Sequence, residues 1–153
     1  KPGFVDCAAI ESPGLSSAPA IGRMVAGIVK GILGLEVDLS FDPRRKGILD
    51  PKELDDQAHA ALIKENPAYG TVICRCETVT EGEIIDAIRR VPGARSVDGV
   101  KRRVRAGMGR CQGGFCSPRV MEILARELGV DQSAVTKAGA GSELIVGVNK
   151  DAI

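Results

Sequence analysis

Four of the five cysteines in this 153-residue chain fall in two tight pairs, Cys74-x-Cys76 within CRC and Cys111-x4-Cys116 within CQGGFC. Each pair stands just ahead of a stretch with helical apolar spacing. In a chain with no visible secretory signal, such clusters read as metal or redox chemistry rather than as a disulfide framework. Side chains at i and i+2 of an extended segment point the same way, so Cys74 and Cys76 can face one centre. Gly113 and Gly114 let the second loop fold tightly and turn amide hydrogens toward sulfur. Four thiolates are what a [2Fe–2S] cluster takes, two per iron.

Such a cluster carries two net negative charges when oxidised and three after one-electron reduction, so it needs positive surroundings. Residues 89–119 hold nine basic side chains against the single acid Asp98, while the chain as a whole is only +1. Helices opening near Thr80 and Ser117 are expected to aim their positive ends at the sulfurs. Arg102, Arg103, Arg105 and Arg110 near Cys111 either tune the centre, for which Arg110 beside Cys111 is placed, or dock an acidic electron-transfer protein, or only solvate a face. Two other chemistries fit four cysteines. One is structural zinc, which would make a binding or assembly module without redox activity, although zinc sites more often use C-x2-C or C-x4-C than C-x-C. The other is a redox disulfide. His59, the only histidine, lies mid-helix and is not expected to ligate metal. Cys7 sits in an apolar run and is expected to be buried.

The elements that must position these residues follow from periodicity and punctuation. Residues 4–10 (FVDCAAI) predict a buried strand, and Ser12-Pro13-Gly14 a turn. A helix follows with Ser16 or Ser17 near its cap and Pro19 in its first turn; its apolar face runs from Ile21 to Ile32, and Gly34 stops it. Val37, Leu39 and Phe41 alternate with polar residues and predict a strand. Residues 41–51 read as a linker. Asp50-Pro51-Lys52-Glu53 has the form of a capping box for a helix reaching about Glu65, stopped by Asn66-Pro67. Val72 and Ile73 make at most a short strand. Thr80 and Glu83 form a second capping box, with Ile84, Ile85, Ile88 and Val91 as the stripe of its helix. Asp98 is expected to cap a short helix ended by Gly107. Ser117-Pro118 opens a last helix, closed by Gly129. Residues 138–148 predict a Gly-rich loop leading into a strand.

Composition sets outer bounds. Hydrophobic content of 44% and charged content of 27% suit a globular chain with a core. No run of apolar residues is long enough to span a membrane. Aromatics are 3%, and Phe115 is the only one among the basic residues, so a nucleic-acid partner is not expected. A chain opening on Lys1 rather than Met is expected to be a processed product or an excised piece, and a cytoplasmic location is expected.

CRC and GMGRCQGGFC, with their following helices, resemble the bacterioferritin-associated-ferredoxin-like [2Fe–2S] domain over residues 71–130. FVDCAAIESPGLSSAPAIG (residues 4–22) resembles the last strand, turn and helix of the flavin domain in FAD-dependent oxidoreductases of the glycerol-3-phosphate dehydrogenase and 2-hydroxyglutarate oxidase type. FDPRRKGI and KENPAYGTVICRCE resemble the connecting segment of those enzymes. The resemblance implies an α+β chain, predominantly α. Residues 1–40 would be the end of a flavin domain, 41–70 a linker with one helix, 71–130 the cluster domain, and 131–153 a C-terminal loop and strand. It implies Cys74, Cys76, Cys111 and Cys116 as cluster ligands, and Ser12, Pro13, Gly14, Leu15 and Ser16 as flavin-proximal residues in a parent that binds FAD through an N-terminal flavin domain. The parent would oxidise glycerol 3-phosphate or a related 2-hydroxy substrate and relay electrons from flavin to an acceptor. This chain alone is not expected to be catalytic, since no residue has the character of the acid or base of that oxidation. The family usually has glycine where Ala9 stands, and the Gly-rich dinucleotide-binding segment is missing from these 153 residues.

Overall fold

The computed structural model describes residues 3–147 and 149. The chain divides into two compact units, Lys1–Arg45 and Lys46–Ile153.

The first unit is built on one helix, α1 (Gly14–Leu33). It begins at once after Pro13, with no side-chain cap, so Ser16 and Ser17 lie inside it rather than at its start. Gly34 ends it in the left-handed conformation at φ 62, which suits a residue without Cβ. No residue of α1 is buried, and Met24, Ile28 and Ile32 on its apolar face are exposed. Residues 4–10 and 37–41, predicted as strands, have no strand pairing. Alternation says which face of a strand would be covered, but the strand itself needs a backbone partner. Cys7 is consequently exposed rather than buried. Ala9 adopts φ 57, the region that favours glycine, at the position where the resembling family has one.

The second unit has a helical core with a small hairpin. Asp50 caps only a single 3-10 turn, Pro51–Glu53. The helix α2 (Asp56–Glu65) takes its own cap from Asp55, whose side chain accepts from the Ala58 amide at 2.7 Å. Asn66 ends it, as the following proline requires. β1 (Val72–Cys74) and β2 (Val79–Thr80) pair antiparallel, with a bulge in β1 between Val72 and Cys74. Helix α3 (Glu81–Arg89) starts at the full capping box: the Thr80 amide donates to Glu83 at 2.7 Å and the Glu83 amide to the Thr80 hydroxyl at 3.3 Å. Ile84, Ala87 and Ile88 are its buried face; Val91 lies past its end and is exposed.

α4 (Val97–Val104) is capped by Ser96 rather than Asp98, and ends at Arg105 in the left-handed conformation rather than at Gly107. α5 (Ser117–Leu128) is closed by Gly129 in the same conformation. Helices α3, α4 and α5 pack pairwise on one another. Ile84, Val100, Ile123 and Leu124 fill the space between them, joined by Cys74 and Cys116. After α5 the chain returns to α4: the Val97 and Asp98 amides donate to the carbonyls of Thr136 and Lys137. The predicted strand over 138–148 reduces to one isolated bridge, Thr136 with Glu143; its last residue, Val148, lies outside the described residues.

Candidate metal centre

Cys74 ends β1 and points into the core, while Cys76 sits in the hairpin turn of residues 75–78 and is exposed. Strand alternation therefore does not bring the two together; the turn does. The second pair sits on consecutive tight turns over residues 109–116. Gln112 and Gly113 both take positive φ, 49 and 87. The Gln112 side chain pins its own loop by donating to the carbonyls of Met108 at 3.2 Å and Gly109 at 3.0 Å. Cys116, buried, is the N-cap residue of α5.

Cys74, Cys76, Cys111 and Cys116 line one cavity of about 650 Å³. Its other walls are Thr71, Val72, Ile73, Phe115 and two cations, Arg75 and Arg119. The sulfurs approach as two pairs. Cys76 shares a hydrogen bond with Cys111, and Cys116 with Cys74. The Cys111 thiol is held below its ordinary value, first by the Phe115 amide, then by Cys76 and the amides of Gly113 and Gly114. Burial pushes Cys116 up to about 11, with the negative charge of Cys74 and Cys111 adding to it. The inner pair is thus dry and mutually repelling once ionised, and the outer pair is wetter and cradled by backbone amides. Bringing four thiolates together here needs a cation among them.

Among the described residues, no three His, Cys, Asp or Glu side chains are arranged to hold one metal ion. Four cysteine thiols around one cavity are the residues that would hold a [2Fe–2S] cluster. All the ligand-type residues of the lining are cysteines, the donor set iron–sulfur clusters take. The residues present therefore fit a [2Fe–2S] cluster.

Several sequence expectations resolve differently. None of the residues of α3 lines the cavity, its capping box engages the Glu83 amide, and Glu81 and Glu83 load its first turn with negative charge. Only α5 starts at the site. Arg110 is exposed and absent from the lining; Arg75 and Arg119 take the place expected of it. Arg102 and Arg105 pair internally, with Asp98 at 3.8 Å and Glu77 at 2.7 Å, and Arg103 donates to the carbonyls of Gly99 and Pro92. They are not a free docking row. Arg75, between the first two cysteines, and Gly109, two residues before Cys111, were the missed signals. A Cβ on Gly109 would lie 2.2 Å from the Cys76 Cβ, so the hairpin turn rests directly on that glycine. His59 is not among the residues lining the cysteine cavity, and its Nε2 is buried without a partner among the described residues.

Residues Ser12, Pro13, Gly14, Leu15 and Ser16 gather at the start of α1 in the first unit. Gly14 and Leu15 help line an apolar groove with Cys7, Ile10 and Val25. No helix among the described residues is long and apolar enough to cross a membrane.

Residues 72–126 match the family described as BFD-like [2Fe-2S] binding domain. Over 152 residues the chain is 54% identical to a glycerol 3-phosphate dehydrogenase of Caloramator mitchellensis, covering 99% of this chain and 32% of that protein. It is 48% identical over 60 residues to hydrogen cyanide synthase subunit HcnB of Pseudomonas aeruginosa, covering 37% of this chain and 12% of that protein. It is 36% identical over 66 residues to a subunit of the anaerobic glycerol-3-phosphate dehydrogenase of Escherichia coli K12, covering 43% of this chain and 12% of that protein. The chain thus spans about a third of the first relative and about an eighth of the others. No solved structure matches it.

Proposed function

We propose, from the premise that residues 72–126 match a BFD-like [2Fe-2S] binding domain, that this chain is the electron-transfer portion of a cytoplasmic FAD-dependent dehydrogenase of glycerol 3-phosphate or a related 2-hydroxy substrate. Cys74, Cys76, Cys111 and Cys116 are the residues that would hold a [2Fe–2S] cluster. When bound, such a cluster supplies a one-electron carrier between a flavin, which takes electrons in pairs, and a one-electron acceptor. The observation that carries this reading is the meeting of four thiols, as two pairs, around one cavity.

The chain's own residues have separable parts in it. The amides of Phe115, Gly113 and Gly114 stabilise negative charge on the Cys111 sulfur. Arg75 and Arg119 add formal positive charge at the lining. Phe115, 87% exposed, leaves an apolar side chain at the mouth where an electron partner would approach. The first unit supports the flavin side of the reading. α1 buries nothing, so its apolar face needs a cover, which the flavin domain of a longer protein would supply. Its start carries no side-chain cap and no acid in the first turn, leaving the amides of Gly14, Leu15 and Ser16 free to face the flavin beside Ser12 and Pro13. The substrate class rests on the relatives' names alone.

The test is elemental. Chain purified without oxygen should be reddish brown and contain iron and acid-labile sulfide in equal amounts, with a one-electron reduced state visible by electron paramagnetic resonance. A colourless protein holding one zinc would instead make it a structural or assembly module.

A further inference from the structure

The turn that carries Cys76 forms an exposed wall of the cavity. Cys76 is exposed, and β2 behind it has only two residues. Thr78, in the same turn, stands at φ 51, a conformation a β-branched residue holds only when its surroundings impose it. The imposing contacts come from two segments distant in sequence. The Arg105 Nε donates to Glu77 Oε2 at 2.7 Å, and the Lys52 Nζ donates to the Glu77 carbonyl at 3.2 Å. Between them the turn is pressed onto Gly109, where an added Cβ would meet both Cys76 and, at 3.3 Å, Glu77 Oε1.

Arg105 is itself out of place. It caps α4 in the left-handed conformation at φ 66, where α1 and α5 both use glycine. Glycine there would relieve the backbone, so keeping arginine points to its side chain. An ion pair whose arginine is 65% exposed adds little to global stability. Its effect is local: it fixes one turn.

We propose that Arg105 and Lys52, acting through Glu77, are positioning residues that hold the Cys76 thiol against Cys111. This rests on the reading that the four cysteines hold the cluster. Lys52 is anchored on its other side by Asp50 at 3.4 Å, and Glu77 keeps only 21% of its side chain exposed, so both ends of the strap are built.

The informative variant is Arg105→Gly, because helix capping and positioning predict different results at the cysteines. If Arg105 only caps α4, glycine leaves or raises thermal stability and changes nothing at the cysteines. If it positions the turn, thermal stability is likewise kept, but chelator bleaches the loaded full-length chain about threefold to fivefold faster. Glu77→Gln should do the same, and the charge-swapped double variant Glu77→Arg with Arg105→Glu should recover part of the wild-type rate and its visible circular dichroism. Alkylation of Cys76 in the metal-free full-length chain, followed by mass spectrometry, reads the same turn without the cluster and should also accelerate. Unchanged bleaching and unchanged Cys76 alkylation in Arg105→Gly and Glu77→Gln overturn the inference. Wild type without iron and sulfide overturns the cluster reading instead, and the alkylation arm still decides the positioning.

Discussion

At the scale of residues, the four sulfurs differ in a way that CRC and CQGGFC do not reveal. Cys74 and Cys116 are 1% and 3% exposed and belong to the hydrophobic core; Cys76 is exposed and Cys111 intermediate. Replacing any of the four with serine should abolish stable iron and sulfide content, while Cys7→Ser should leave both unchanged; retention of the full spectrum by one of the four would remove that residue from the ligand set. Gly109→Ala is the sharper test of geometry. Its methyl group lands on the Cys76 Cβ, so the turn must move or the loop must open, a strain of about 1–3 kcal/mol. Far-ultraviolet circular dichroism should be retained while cluster occupancy falls. The two cysteine pairs were legible in the sequence because their types and spacing lie within a few residues, and the structure places all four on one cavity. The glycine contact was not, since it depends on two turns meeting across more than thirty residues of chain.

At the scale of elements, α3 and α5 are joined by packing and by a charge network at its edge. Arg89 donates to Glu127 at 2.6 Å, and Arg126 bonds Glu81 at 2.7 Å and Glu127 at 3.4 Å. Burial alone would raise the Glu127 carboxyl; Arg89 and Arg126 outweigh it and leave it below its ordinary value of 4.5. A carboxylate depressed in the folded state contributes stability that is present above the unfolded value and is lost as pH falls through the lower folded one. Urea midpoints should therefore decline below about pH 4.5, and Glu127→Gln should be less stable at neutral pH and show a shallower acid decline. Equal acid slopes for the two proteins would show the network to be a solvated edge. Capping signals located these helices well: Thr80 with Glu83 and Gly129 stand where their chemistry places them. Asp50 did not, because Asp55 five residues on offered a second cap and the first turn closed as a 3-10 turn.

At the scale of the whole molecule, the two units differ in what they bury. Every buried hydrophobic side chain among the described residues lies between Tyr69 and Val135. A fragment of residues 46–153 should accordingly fold, melt at the temperature of the whole chain and keep the cluster; a fragment of residues 1–45 should show little fixed structure, measured by amide exchange. The same argument predicts that the 153-residue chain takes up no stoichiometric FAD, and that a longer chain including a flavin domain does. A yellow complex of residues 1–153 would contradict it.

The sequence by itself marked the two cysteine pairs, the helical character of the second unit and the caps at Thr80 and Gly129, because residue type and capping act over a few neighbouring residues. Tertiary structure alone decided which cations reach the cysteines, that no residue of α3 lines their cavity, and that the predicted strands at residues 4–10 and 37–41 stay unpaired. Each of these depends on a partner supplied from elsewhere in the chain. A strand pattern records a face fit for burial, and an arginine run records charge, but neither says what lies opposite. Arg105 shows the difference most plainly: its neighbours in sequence make it one of a basic row, and Glu77, twenty-eight residues away, makes it a fastening for the turn of Cys76.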